Sequence, residues 1–217
     1  MRVRRSFCFV DLSGFTALTE ASGDELAVSV LTGFRAAVRD TCSRRGVRIA
    51  KWLGDGAMLV SVETTPVVAA ALELLHRSAP NPVAVRCGIT TGRVILLEGD
   101  DYIGHSVNVA ARLCDVAAAS EILASPDLVP YLPRWATVLA TGEVVVRGLG
   151  HPVEVVHVGL CAPQGCVADP VCGIPLTPEI AVEIRTDSFG ATVLMCSESC
   201  LETWLGRDGS EGVSARG

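Results

Sequence analysis

Val47-Arg48-Ile49-Ala50-Lys51-Trp52-Leu53-Gly54-Asp55-Gly56-Ala57-Met58-Leu59-Val60-Ser61-Val62-Glu63 is the stretch whose reading decides the fold. Two β-rich runs, 47–53 and 57–63, flank a Gly-Asp-Gly turn, which predicts a β-hairpin. Upstream, residues 5–12 read as a strand. The segment from Thr16 to Arg45 carries Ala27, Val30, Leu31, Phe34 and Val38 at helical spacing, which predicts one amphipathic helix. Downstream come a helix over Pro66–Arg77, a strand from Pro82 to Thr90 that continues through Gly92–Leu97, and a helix over Gly104–Ala119. The order βαββαβ predicts an α+β sandwich of ferredoxin-like type. Short strands at Ile122–Ser125, Glu143–Arg147 and Val153–Val158 extend the sheet, with helices expected on one face.

A chain of 217 residues that is 49% hydrophobic can bury one core of ordinary domain size and a small appendage. Its apolar runs fall short of the roughly 18 to 20 residues of a membrane span. Phe7-Cys8-Phe9-Val10 after the basic start is closed by Asp11, so it reads as a first strand and not a signal peptide. A net charge of -6 argues against a general binder of phosphate backbones and is compatible with a single nucleotide held through metal ions. Nine cysteines without a secretory signal suggest a reducing, cytoplasmic setting. Cys8, Cys42, Cys87 and Cys114 read as buried inert thiols, while five others crowd between Cys161 and Cys200.

Asp11, ending the first strand, and Asp55, at the hairpin tip, are carboxylates placed where a chain can hold Mg²⁺ together with substrate phosphates. Taken singly, each is a turn Asp. Their surroundings add more. Phe9-Val10-Asp11-Leu12-Ser13-Gly14-Phe15-Thr16, Lys51-Trp52-Leu53-Gly54-Asp55-Gly56 and Asp101-Tyr102-Ile103-Gly104-His105-Ser106-Val107-Asn108-Val109-Ala110-Ala111-Arg112-Leu113 resemble three successive motifs of class III adenylyl and guanylyl cyclases. Arg147-Gly148 with Pro152-Val153 is similar to their closing segment. The resemblance covers about 160 residues.

That resemblance implies conversion of ATP to cyclic AMP. Asp11 and Asp55 would hold two Mg²⁺ or Mn²⁺ ions, which activate the ribose 3′-hydroxyl and neutralise the triphosphate. Lys51 and Asp101 would read adenine, a Lys donating to N1 and a carboxylate accepting from the N6 amine; Asp100 competes with Asp101 by a one-residue slip. Asn108 and Arg112, four apart on one helix face, would orient the ribose and stabilise the transition state. Arg93 matches an arginine on the terminal phosphates, and His105 receives no role. In the family the carboxylates of one chain meet the base-reading and transition-state residues of the other, which implies a homodimer. The short segment between Gly92 and Asp101 bears on the dimerisation arm.

Composition shifts after Gly159. The chain divides into a cyclase unit over 1–160, a linker over 161–168, a second unit over 169–205 and a disordered tail over 206–217. Asp169-Pro170-Val171-Cys172-Gly173 and Cys196-Ser197-Glu198-Ser199-Cys200 resemble the small YHS-type domain. Ser197 as N-cap sets Cys196 and Cys200 at a helix start. With Cys172 they suit Zn²⁺ or Cu⁺, a fourth ligand coming from Cys161, Cys166 or water; the bland alternative is a thiol core that only packs. The competing functional reading is a catalytically silent cyclase-like dimer that senses nucleotide or heavy metal. A diguanylate cyclase or polymerase palm is disfavoured, because the hairpin lacks their paired acidic residues.

Overall fold

The computed structural model describes residues 1–78, 83–97, 101–161, 164–187 and 189–211, with side chains to residue 206. Strand β1 (Arg2–Ser13) is followed by helices α1 (Phe15–Ser22) and α2 (Asp24–Arg44), the hairpin β2 (Arg48–Leu53) and β3 (Gly56–Ser61), helix α3 (Thr64–Ser78) and strand β4 (Ala84–Leu96). Next come β5 (Tyr102–Ile103), α4 (His105–Val116), β6 (Ile122–Ala124), a 3₁₀ turn at Pro126–Tyr131, β7 (Ala136–Val144) and β8 (Val153–Leu160). One mixed sheet runs β2-β3-β1-β4-β6-β8-β7, with β5 on β4. Its first four strands have the expected ferredoxin-like order, all antiparallel; β4 and β6 are parallel.

Three expectations for the cyclase unit are corrected. The single helix over Thr16–Arg45 is two helices, broken at Gly23, whose φ of 83° lies in the left-handed region that glycine tolerates. Asp24 and Glu25 then supply negative charge to the first turn of α2. The strand expected at Glu143–Arg147 is instead the longer β7, which starts at Ala136 and pairs with β8, and the chain turns at Gly148 with φ 88°. Helices also cover both faces of the sheet. Cys8, Val10 and Leu12 of β1 pack on the same side as Phe34 and Val38 of α2 and Val67 to Leu74 of α3. Phe7 faces the other way, toward Ala110 of α4. The start of the fourth strand expected at Pro82 lies outside the described residues.

Residues beyond β8 form β9 (Val167–Ala168) with β10 (Pro175–Leu176), β11 (Glu183–Thr186) with β12 (Thr192–Met195), and helix α5 (Glu198–Glu211). Tail residues Gly206 to Glu211, expected to be disordered, continue this helix; 212–217 lie outside the described residues. Ile174, Leu176, Leu194 and Met195 belong to the same buried cluster as α2, α3, Leu128 and Trp135. Between α2 and α3 the fully buried Glu73 is met by Arg44, by Arg45 at 2.9 Å, by Arg77 at 3.2 Å and by the Thr41 hydroxyl at 3.1 Å. A carboxylate taken wholly out of water requires such compensation.

Gly88 on β4 is where α4 touches the sheet. A Cβ there would lie 2.2 Å from the Ala110 carbonyl oxygen and 2.3 Å from the Cys114 nitrogen, both backbone atoms that cannot swing aside. We predict that Gly88→Ala costs about 3 kcal/mol and lowers the melting temperature by roughly 6–12 °C in thermal unfolding.

Candidate active site

Antiparallel register places Asp11 opposite Gly56 on one side and opposite Arg86 on the other. The hairpin tip is tight because Gly54 takes φ 66°. It is tied to α2: Arg35 donates to the Gly54 carbonyl at 3.0 Å, and the guanidinium carbons of Arg35 and Arg39 stand 5.2 and 5.1 Å from the Trp52 ring. Gly56 carries no side chain where β3 meets β1. A Cβ there would be 2.8 Å from the Val10 carbonyl oxygen and 3.0 Å from Asp11 Oδ1. Burial, and then the negative charge of Asp11, push the Asp55 carboxyl above the usual range. Two carboxylates close enough to repel, with one oxygen facing an uncluttered turn, are a donor set suited to divalent cations.

Arg86 reaches Asp11 Oδ2 with both Nη2 (2.6 Å) and Nε (3.0 Å), and donates from Nη1 to the Asp115 carbonyl at 2.9 Å. Sequence reading passed over this residue. Its only signal was its place two residues before Gly88, on the strand that must pair with Asp11.

A cleft of about 560 Å³ opens beside these groups, lined by Asp11, Gly56, Asn108, Arg112 and Cys114, with Arg147 and Gly148 at its rim. Helix α4 supplies Asn108 and Arg112 on one face, as their spacing predicts. Its N-terminal turn is pinned to β4 by Thr90 Oγ1, which donates to the Ser106 carbonyl at 2.7 Å. Arg112 pairs with Asp115 at 3.0 Å, both half exposed. Such a pair contributes roughly 0–1 kcal/mol, so Asp115 holds the guanidinium only weakly. His105 also lines the cleft.

Lys51 and Asp101 meet each other off the cleft, Nζ to Oδ1 at 2.7 Å. The Tyr102 amide donates to the same oxygen at 2.8 Å. The Lys51 ammonium and then that amide hold the Asp101 carboxyl below the usual range. Tyr102 is fixed in turn by Arg48, which donates to its hydroxyl at 2.7 Å, and by the edge of Phe7, 5.3 Å between ring centroids. Arg93 is exposed on β4 opposite Arg4 and does not line the cleft. Asp100 lies outside the described residues.

Comparison with known proteins identifies the family and the fold. Residues 4–158 match the family described as the adenylate and guanylate cyclase catalytic domain. The chain belongs to that family. An uncharacterized protein of Mycobacterium tuberculosis is 41% identical over 147 residues, 67% of this chain and 38% of that protein. An adenylate cyclase of Streptomyces coelicolor is 32% identical over 117 residues, 53% of this chain and 30% of its own length. The chain thus spans well under half of the length of either of these relatives. Among solved structures, the adenylyl cyclase CyaB from P. aeruginosa superimposes with a TM-score of 0.61 at 25% identity, covering 76% of this chain and 97% of that one. The guanylyl cyclase Cya2 gives the same TM-score at 22% identity, over 76% and 96%. Among the described residues, no helix is long and apolar enough to cross a membrane.

A second cluster lies outside the cyclase match. Cys172, Cys196 and Cys200 are buried with sulfurs 3.4 Å (172–196) and 3.5 Å (196–200) apart, and Asp169 is the fourth member of the group. The fourth position expected of Cys161 or Cys166 is therefore not theirs: Cys161 is half-buried, Cys166 exposed, and neither joins the cluster. The local turn explains why. Asp169 accepts from the Val171, Cys172 and Cys196 amides at 2.8, 3.2 and 2.7 Å, and so is folded inward at the start of the unit. Hydrogen bonds from the Cys172 and Cys196 thiols hold Cys200 below the ordinary thiol range, while the bond to Cys196 pushes Cys172 above it.

Asp55→Asn follows from the carboxylate pair. An ionised group whose pKa is raised by folding destabilises the native state above that pKa, so its neutral isostere should melt higher than the parent at neutral pH. The advantage should fade as pH falls through the raised native pKa and be gone below the unfolded carboxyl's own. Melting curves from pH 7 to pH 3 check the sign; a lower melting point for Asp55→Asn at pH 7 contradicts it.

Proposed function

We propose that this chain is an adenylyl cyclase that forms cyclic AMP and pyrophosphate from ATP as a homodimer. Membership of the cyclase family supports the reaction class, and the adenylate cyclases of Streptomyces coelicolor and Glutamicibacter nicotianae among its relatives support the base. The observation that carries ATP over GTP is the Lys51–Asp101 pair. Both bonds to Asp101 fall on Oδ1, which leaves Oδ2 to accept from an exocyclic amine while Lys51 donates to a ring nitrogen. Guanine presents a carbonyl and an N–H at these two positions and meets like with like.

Asp11 and Asp55 are the residues that would hold two divalent cations, Mg²⁺ or Mn²⁺. Bound there, such ions lower the pKa of the ribose 3′-hydroxyl and neutralise the triphosphate. Asn108 orients the ribose and Arg112 leaves Asp115 to meet the charge that grows on the α-phosphate. The bond from the 3′-oxygen to the α-phosphorus forms as the bond to pyrophosphate breaks. Arg93, beyond the cleft of its own chain, serves the terminal phosphates across the two-fold. The thiol cluster is a site for Zn²⁺ or Cu⁺, and Arg45 connects it to the cyclase core: Nη2 lies 3.2 Å from Cys196 Sγ while Nε holds Glu73. Occupation of the cluster by metal would act on the cyclase through this arginine.

Purified protein given ATP or GTP with Mn²⁺ should yield mainly cyclic AMP. Lys51→Glu with Asp101→Gly should lose that preference, and Arg112→Ala should lose about 10²–10³-fold in kcat. Equal turnover of ATP and GTP by the wild type rejects the base assignment.

A further inference from the structure

Both nitrogens that Arg86 offers to Asp11 fall on the same oxygen, Oδ2. The other oxygen, Oδ1, faces the hairpin, where the missing side chain of Gly56 leaves room and Asp55 is close enough to feel its charge. We infer that Arg86 is a built-in competitor for the second cation: it leaves Oδ1 to the first ion and withholds Oδ2 until substrate arrives. The inference rests on the reading of Asp11 and Asp55 as the metal carboxylates.

Three features carry it. A carboxylate oxygen has two lone-pair directions, and two N–H donors at 2.6 and 3.0 Å fill them, so an ion can reach Oδ2 only by displacing at least one donor. The pair is about three-quarters buried on each side, at 25% and 24% exposure, so water screens it less than a surface ion pair. A guanidinium this close also repels a dication on the same carboxylate. The arginine is not stranded when it lets go, because Nη1 already holds the Asp115 carbonyl. The triphosphate of a nucleotide brings the negative charge that offsets this repulsion. The second ion therefore enters with substrate, and the resting protein holds one.

Mn²⁺ titration of the nucleotide-free full chain, read from the EPR signal of the free ion, tests this without any activity assay. Wild type should take one ion, with a second at least about tenfold weaker; Arg86→Gln should tighten the second about tenfold, toward equality with the first. Arg86→Lys, which keeps the charge and an N–H donor group, should stay like wild type. Two equal ions on the wild type overturn the inference, whether or not the Gln variant folds. A folded Arg86→Gln protein with an unchanged or weaker second ion overturns it as well. Asp11→Asn separates the two levels: it should lose both ions, and if it binds like wild type then Asp11 is not a metal ligand and the inference falls with that reading.

Discussion

The register of β1 between its two neighbours is the constraint on which the site depends. Because β1 is antiparallel to both β3 and β4, one residue near its end, Asp11, faces the hairpin turn through Gly56 and the Arg86 guanidinium through β4. A slip by one residue would send Asp11 to the opposite face and put the Val10 or Leu12 side chain in its place. The core guards against that slip. Cys8, Val10 and Leu12 are buried on the α2/α3 side, and Phe7 on the α4 side, so either displacement would expose apolar side chains and bury polar ones.

Helix α4 depends on the same sheet. It approaches β4 closely only because Gly88 and Gly92 lack side chains, a Cβ at Gly92 falling 1.9 Å from Ser106 Oγ. That approach brings Asn108 and Arg112 to the cleft that Asp11, near the end of β1, also lines. Asp11, Arg86 and Arg112 are thus placed by three elements whose spacing is set by close contact at glycines.

Much of this was legible in the sequence because it is periodic. The Gly-Asp-Gly turn between alternating strands announced the hairpin, and the i, i+4 spacing of Asn108 and Arg112 announced a shared helix face. What was not legible is non-local. The break at Gly23 sits inside a continuous apolar period, and only backbone conformation shows that glycine's freedom is used there. Ala136–Leu139 becomes a strand by pairing with β8, a partner no local pattern names. The face on which α4 lies is a matter of connection, invisible in its own heptads. Arg86 has an ordinary setting in the chain and acquires its meaning only across the ladder. Asp169 was read as part of a motif and not as a neighbour of sulfur, because its turn folds back over 27 residues to the Cys196 amide. The thiol unit itself proved continuous with the core: the Trp135 indole donates to the Cys196 carbonyl at 3.0 Å, and Arg45 spans from Glu73 to Cys196.

A single chain gathers Asp11, Asn108 and Arg112 along one cleft but leaves Lys51 and Asp101 paired elsewhere. The central claim is that two chains complete each site about a two-fold axis, the carboxylates of one facing the Arg112 and the base-reading pair of the other. Mixing inactive Asp11→Asn protein with inactive Arg112→Ala protein tests it most directly. Random pairing makes half of the dimers mixed, each with one intact site of two, so cyclic AMP formation should return to about a quarter of wild type. A mixture as inactive as its components, from proteins shown to exchange subunits, would contradict it.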